Sequence, residues 1–275
     1  MKIIVEKESE LLKYLIEKTN ISRKTLKQYL VHKSISVNNN IVTKYNYKVN
    51  CNDIINIEKK NTFIYNIIYE DDNIIVVDKP TNLLTISTEK EKEKTLYHIL
   101  REYVKSKNKN NKIFIVHRLD KDTSGVVLFA KNEKIKKQLQ DNWNEYVKLR
   151  EYVAILHNTP SKKKSTIINY LQENKNHIVY ISNTGDKAIT HYKVIKEKNN
   201  LSEVLVNIET GKKNQIRVAF KSINNPILGD KVYGIKDKED RLYLHASKLK
   251  IYYPIIKKEI LFESKIPIEF KKKMG

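Results

Sequence analysis

From residue 66 onward the chain is written as short apolar runs set between polar turns. Ile74-Ile75-Val76-Val77, Ile113-Phe114-Ile115-Val116 and Val126-Val127-Leu128-Phe129-Ala130 are brief, β-branched or aromatic, and bounded by polar residues. That combination predicts buried strands. The first run ends at Asp78-Lys79-Pro80, where Pro80 holds its predecessor extended and stops ladder pairing. Asn82 can take the left-handed conformation that a turn needs there. Thr95 is placed to cap a helix carrying Leu96, Ile99, Leu100 and Val104. Ser87 to Lys94 reads as a charged, mobile insertion, and Lys105 to Lys112 as a polar loop. The remainder alternates short strands with polar turns. The predicted class is α+β, on a mixed, largely antiparallel sheet, with no repeat of fixed period.

Residues 1–60 follow a different pattern and form a separate small unit, leaving 61–275 as the main domain. Leu11, Leu12, Leu15 and Ile16 define one helical face; Ser22 caps a second helix with Leu26, Tyr29 and Leu30 on its buried side. Ile35 and Val37 alternate with Ser36, and Asn38-Asn39-Asn40 turns the chain into Ile41-Val42-Thr43 as a hairpin. Arg23, Lys24 and Lys27 line the exposed side of the second helix. Glu58-Lys59-Lys60-Asn61 is the expected linker.

Charge changes the picture more than size does. The 275 residues carry 53 Lys+Arg against 32 Asp+Glu, a net charge of +21. Such an excess serves either a solvated surface or a polyanion partner, most often nucleic acid. Lysine is the default cation; arginine occurs six times, and Arg118, Arg150 and Arg217 fall in the motifs below. An arginine in such a chain points to a need for its planar fork. Cys51 is the single cysteine, which fits a reducing cytoplasm. No apolar stretch approaches the roughly 18–20 residues of a membrane span. No glycine-rich phosphate loop and no Cys/His cluster implies a cofactor or a metal, so none is expected.

The densest chemistry lies in His117-Arg118-Leu119-Asp120-Lys121-Asp122-Thr123-Ser124-Gly125, a loop between two core strands and so a rigid mount for a reactive group. A lone loop aspartate usually caps a turn. The nine-residue context reverses that reading for Asp120, because the string resembles the catalytic loop of RluA-type RNA pseudouridine synthases. The resemblance makes Asp120 the catalytic group, ionised at neutral pH with a nearby guanidinium to hold its pKa low. Asp122 is its rival in the same loop. Thr123 and Ser124 are expected to satisfy loop backbone groups, without a base to activate them.

Three further strings extend the resemblance over residues 66 to 254. Arg150-Glu151-Tyr152-Val153-Ala154 matches the segment whose tyrosine lies against the target base, offering a ring to stack on and a hydroxyl to assist proton removal. Glu209-Thr210-Gly211-Lys212-Lys213-Asn214-Gln215-Ile216-Arg217, followed by Pro226-Ile227-Leu228-Gly229-Asp230, is similar to a segment whose arginine pairs with the catalytic aspartate; that role falls to Arg217. Lys212 and Asn214 stand where the family has Arg and His, and Asn82 where it has Gly. Leu244-His245-Ala246 resembles a further segment of architectural role. The N-terminal unit is similar to the αL-type RNA-binding domain of a ribosomal protein. The implied RNA-binding set is Arg118, His117, Arg23, Lys24, Lys27, Lys212, Lys213 and Asn214. The implied reaction is isomerisation of uridine to pseudouridine in structured RNA, with large-subunit ribosomal RNA favoured, transfer RNA open, and a cytoplasmic monomer away from membranes. A non-catalytic ribosome-assembly factor has no need of Asp120, Tyr152 and Arg217 together. A base-excising glycosidase would release free uracil.

Overall fold

The computed structural model describes residues 1–31, 34–57, 65–88, 91 and 93–275, without the side chains of residues 24, 28 and 31. Two compact units emerge, Met1–Ile64 and Tyr65–Gly275. The Lys24 side chain, the expected linker Glu58–Asn61 and residues 89, 90 and 92 of the charged insertion lie outside the described residues. Among the described residues no helix is long and apolar enough to cross a membrane.

The first unit contains β1 (Lys2–Ile4), β2 (Ser9–Glu10), α1 (Leu11–Lys18), α2 (Arg23–Val31), β3 (Ile35–Val37), β4 (Asn40–Ile41), β5 (Lys48–Val49) and β6 (Ile54–Ile57). β1, β6, β3 and β4 form an antiparallel sheet in that order. Leu11, Leu12, Leu15, Leu26, Leu30, Ile35, Val37 and Ile55 make its core. The expected α1 face needs one correction: Ile16 is 40% exposed and Tyr14 is buried instead. Tyr14 earns that place with its hydroxyl, which accepts from the Glu6 N–H (2.9 Å) and donates to the Ile4 carbonyl (3.3 Å). Ser22 Oγ accepts from the Thr25 N–H (3.2 Å), as an N-cap does. Asn38 and Asn39 both have positive φ, +48° and +66°, between the paired Val37 and Asn40. These are the dihedrals of a two-residue hairpin turn.

The second unit contains β7 (Ile67–Glu70), β8 (Ile74–Lys79), α3 (Leu96–Lys107), β9 (Phe114–Ile115), β10 (Ser124–Ala130), α4 (Glu133–Asp141), α5 (Trp143–Tyr146), β11 (Val147–His157), β12 (Lys164–Glu173), β13 (Val179–Ile181), β14 (Asp186–Lys198), β15 (Leu201–Ile208), α6 (Gln215–Ser222), β16 (Leu244–Tyr253), β17 (Lys258–Glu263) and α7 (Ile268–Met274). Eleven strands form one sheet, ordered β13-β12-β14-β15-β11-β16-β10-β8-β7, with β17 on β16 and β9 on β10. The α+β class and the largely antiparallel sheet are as expected. The one parallel strand pair among the described residues joins β10 to β16, Ser124 opposite His245 and Gly125 opposite Ala246.

That parallel contact fixes the end of the Asp120 loop. Gly125 has φ +117°, and a Cβ there would sit 2.1 Å from the Ala246 carbonyl oxygen, so no other residue fits. Thr95 caps α3 by accepting from the His98 N–H (3.2 Å). Asn82 takes φ +60°, the turn expected of it. Gln215-Ile216-Arg217-Val218 opens α6, a helix packed on β12, β13 and β14. The left-handed Asn214 (φ +53°) starts it.

Candidate active site

The loop from Val116 to Thr123 is held mainly through its own backbone. Thr85 Oγ1 donates to the Leu119 carbonyl (2.7 Å) and accepts from the Leu119 N–H (3.2 Å). Thr81 Oγ1 donates to the Asp122 carbonyl (2.7 Å). The fully buried Lys79 ammonium donates to the carbonyls of Pro80, Leu83 and Lys121 at 2.9, 2.7 and 2.9 Å. Burial lowers the Lys79 pKa to about 7, against the pull of Asp122 and Asp120. Residues 79–85 thus clamp the loop on both sides of Asp120. Sequence reading missed this role, whose signal was the Lys-Pro end of β8.

A cleft of about 320 Å³ opens above the loop, lined by His117, Arg118, Asp120, Thr123, Trp143, Arg150, Tyr152, Gly211, Lys212, Gln215 and Arg217 among others. Asp120, Tyr152 and Arg217, expected together, are brought together. The Asp120 carboxylate faces this space with no hydrogen bond or ion pair among the described residues; its neighbours act on it as charges only. Burial raises its pKa, and the charges of Arg217, Arg118 and Lys79 pull it back only in part. The expected low pKa is therefore corrected, because desolvation outweighs the guanidinium.

A second correction concerns Arg217. Its fork does not grip Asp120. Nε and Nη2 donate to the two carboxylate oxygens of Asp230 (2.8 and 2.6 Å), and Nη1 donates to Asn214 Oδ1 (3.0 Å). Its guanidinium also lies over the Tyr233 ring, 5.0 Å from the centroid. Asp230 further accepts from the N–H groups of Val232 (3.0 Å) and Tyr233 (2.9 Å). Burial alone would raise the Asp230 carboxyl, but these bonds overcome it and hold the pKa low. Arg217, 6% exposed, thus presents a fixed positive charge to the cleft. Among neighbouring charges it does most to restrain the Asp120 pKa.

Other expected residues divide. Arg118 is exposed at the cleft, and Lys212 lines it while pairing with Asp186 (3.0 Å). Arg23 and Lys27 are exposed on α2. His117 turns inward: its Nε2 accepts from the Leu128 N–H (3.0 Å), its ring packs on Trp143, and burial with the charge of Arg150 lowers its pKa to about 3. It is a neutral brace that also lines the cleft, at a position where an RNA contact was expected. Asn214 is spent on Arg217 and on the Tyr233 hydroxyl (3.1 Å). Lys213 reaches Glu173 (2.6 Å) and the His177 carbonyl (3.2 Å), outside the cleft lining. Burial pushes Tyr152 up to about 12, so its hydroxyl keeps its proton at neutral pH and is no base by itself.

Ser124 also differs from expectation. It accepts from Arg241 Nη2 (2.7 Å) and donates to His245 Nδ1 (2.9 Å), linking the loop to β16. The serine–histidine pair is buried and off the cleft, and burial lowers His245 to about 4. It is a lock without access to substrate. Thr123 Oγ1 is buried with no hydrogen-bond partner among the described residues. Arg150, Trp143 and Asp230 complete the residues that sequence reading did not assign. Arg150 Nη2 donates to the Glu209 carbonyl, and a Cβ on Gly211 would lie 2.8 Å from Arg150 Nη1. Among the described residues no group of three His, Cys, Asp or Glu side chains is set to hold a metal ion.

Comparison with known proteins places this geometry. The family model described as RNA pseudouridylate synthase matches residues 73–222. The ribosomal large subunit pseudouridine synthase D of Buchnera aphidicola is 32% identical over 273 residues, 90% of this chain and 86% of that protein. The ribosomal large subunit pseudouridine synthase C of Rickettsia bellii is 35% identical over 225 residues, 78% of this chain and 73% of that protein. The structure of human RNA pseudouridylate synthase domain containing 4 superposes with a TM-score of 0.62 at 22% identity, covering 74% of this chain and 90% of that one, a likeness of fold.

Proposed function

The chain belongs to the RNA pseudouridylate synthase family, isomerases that act on RNA, and from that premise we propose that Asp120 carries its reaction on large-subunit ribosomal RNA. The reaction breaks the bond from ribose C1′ to uracil N1 and joins C1′ to C5. The C5 proton is lost and N1 gains one, so the RNA keeps its mass. The observation that carries the assignment is the Asp120 carboxylate itself: it faces the cleft, makes no hydrogen bond among the described residues, and sits among the positive charges of Arg217, Arg118 and Lys79. A carboxylate in that state is available to attack or deprotonate the ribose, or to attack the base. The charge of Arg217 draws its pKa down against burial without a bond that would hold the carboxylate. The Tyr152 ring offers a flat wall for the uracil, and its hydroxyl a donor. Arg118, exposed at the mouth, is free to fill the gap that an extruded uridine leaves, an extrusion costing a few kcal/mol.

Relatives named for the ribosomal large subunit favour that RNA. The first unit, with Arg23 and Lys27 exposed on α2, serves in this reading as an αL-type RNA-binding domain. The single cysteine fits a cytoplasmic location. The test is to map pseudouridines in cellular RNA with and without this protein, and to repeat the reaction with purified components. Loss of one or more large-subunit sites is expected. Loss confined to transfer RNA would move the target, and release of free uracil would overturn the isomerase reading.

A further inference from the structure

A second cleft, of about 270 Å³, adjoins the first and shares Trp143, Asn144, Arg150 and Ile208 with it. Val147, Lys148, Leu149 and Glu209 complete its walls. Asp120, Tyr152 and Arg217 are absent from them, so the isomerisation step makes no use of this space. Trp143 is half-buried; it packs on His117 with ring centroids 5.1 Å apart, and it borders both clefts. The Arg150 guanidinium is pinned by the Glu209 carbonyl, which sets this wall before any ligand arrives. The lining combines an indole, three aliphatic side chains, a half-buried guanidinium and the exposed ammonium of Lys148. That set suits a flat heteroaromatic ring attached to a phosphate.

Resting on the reading of this chain as an RNA-modifying enzyme, we propose that the second cleft takes the base of the nucleotide next to the target uridine, stacked on Trp143. Continuity of the two clefts along Trp143 and Arg150 favours a connected nucleotide over a free one. Pulling a uridine from its stack uncovers the face of its neighbour, and proteins that read unpaired RNA receive such bases on aromatic side chains. Lys148 then meets the phosphate of that nucleotide.

Trp143 is the only tryptophan of the chain, so intrinsic fluorescence reports on this position alone. Trp143→Ala would also strip His117 of its packing, so the ligand is varied instead. The probe is a single-stranded heptaribonucleotide with one central uridine among adenosines, compared with versions abasic immediately 5′ or 3′ of the uridine. Anisotropy of an end label gives affinity independently of Trp143. The intact oligomer is expected to quench the emission. One of the two abasic versions should lose most of that quenching and bind on the order of tenfold more weakly, the worth of one stacked base. Equal quenching and equal affinity for all three would overturn the inference while leaving the RNA-enzyme reading intact. Failure of the intact oligomer to bind at all would count against that reading and carry the inference down with it.

Discussion

Two aspartates share one arginine in the catalytic unit, and the fold treats them in opposite ways. Asp230, in the turn after α6, is 2% exposed and accepts four hydrogen bonds, two of them from Arg217. Its pKa is held low. The Asp120 carboxylate feels the same guanidinium only as a charge, accepts no hydrogen bond among the described residues, and has a raised pKa. One carboxylate is a structural anchor; the other stands in a loop held through its backbone, as the chemistry proposed for it requires. The lesson concerns where rigidity comes from. A reactive group cannot also be the group that holds itself in place, so the fold assigns the holding to Thr85, Thr81 and Lys79 on one side and Asp230 on the other.

The comparison breaks most visibly at Arg217. Arg217→Lys should lose the two parallel bonds to Asp230 and let the charge wander. Turnover is expected to fall on the order of a hundredfold, as misplacement of about 1 Å does, and more than RNA affinity falls. Single-turnover rates and binding measured side by side decide this; near-normal turnover would make Arg217 an ordinary cation. Asp230→Asn should cost about 3–5 kcal/mol of stability, because it leaves a buried guanidinium without its counter-charge. Urea unfolding reads that loss, and a shift within error of zero would remove Asp230 as the anchor.

A smaller effect separates the backbone clamp from the chemistry. Thr85→Val strands the Leu119 N–H and carbonyl, each unmet buried group costing about 1–3 kcal/mol. Part of that cost should surface as slower turnover with RNA affinity little changed. Equal losses in both would mean the clamp supports the whole surface.

How far the sequence foretold this site depends on the range of the interaction. The Asn38-Asn39 turn, the Thr95 cap and the left-handed Asn82 are local, and single residues announce them. The buried strand after the Asp120 loop, β10, is legible from its apolar run, whereas the run over residues 113–116 yields only the two-residue, half-buried β9. The pairing of Arg217 with Asp230 is not, since nothing in either string says which of two nearby aspartates the fork will meet. His117 and Asn214 look like RNA contacts in sequence because their partners, the Leu128 N–H and Arg217, are chosen only by the fold.

The smallest effects follow from the two pKa shifts. Asp120 titrates above the ordinary aspartate value of 3.8, so the acid limb of the single-turnover rate should lie above that pH. Arg118→Gln removes a charge that lowers this pKa and should move the limb higher. The stability signs are opposite. Asp230, with a lowered pKa, contributes stability that is present above the ordinary carboxylate range and lost as pH falls through its folded value. Asp120, with a raised pKa, contributes most below that range and loses its contribution as pH rises through its folded value. Asp120→Asn should therefore gain stability relative to the unaltered chain on going from acid to neutral pH. Urea midpoints across that range test it, and a gap that narrows toward neutrality would reverse the assignment.

The central claim is that Asp120 does chemistry and bears no structural load. Tritium release from carbon-5-labelled uridine in large-subunit ribosomal RNA, measured for Asp120→Asn beside its RNA affinity and its urea midpoint, tests it most directly. The account predicts release at background, affinity close to that of the unaltered chain, and a midpoint no lower. Release at the unaltered rate would contradict it and pass the role to Asp122.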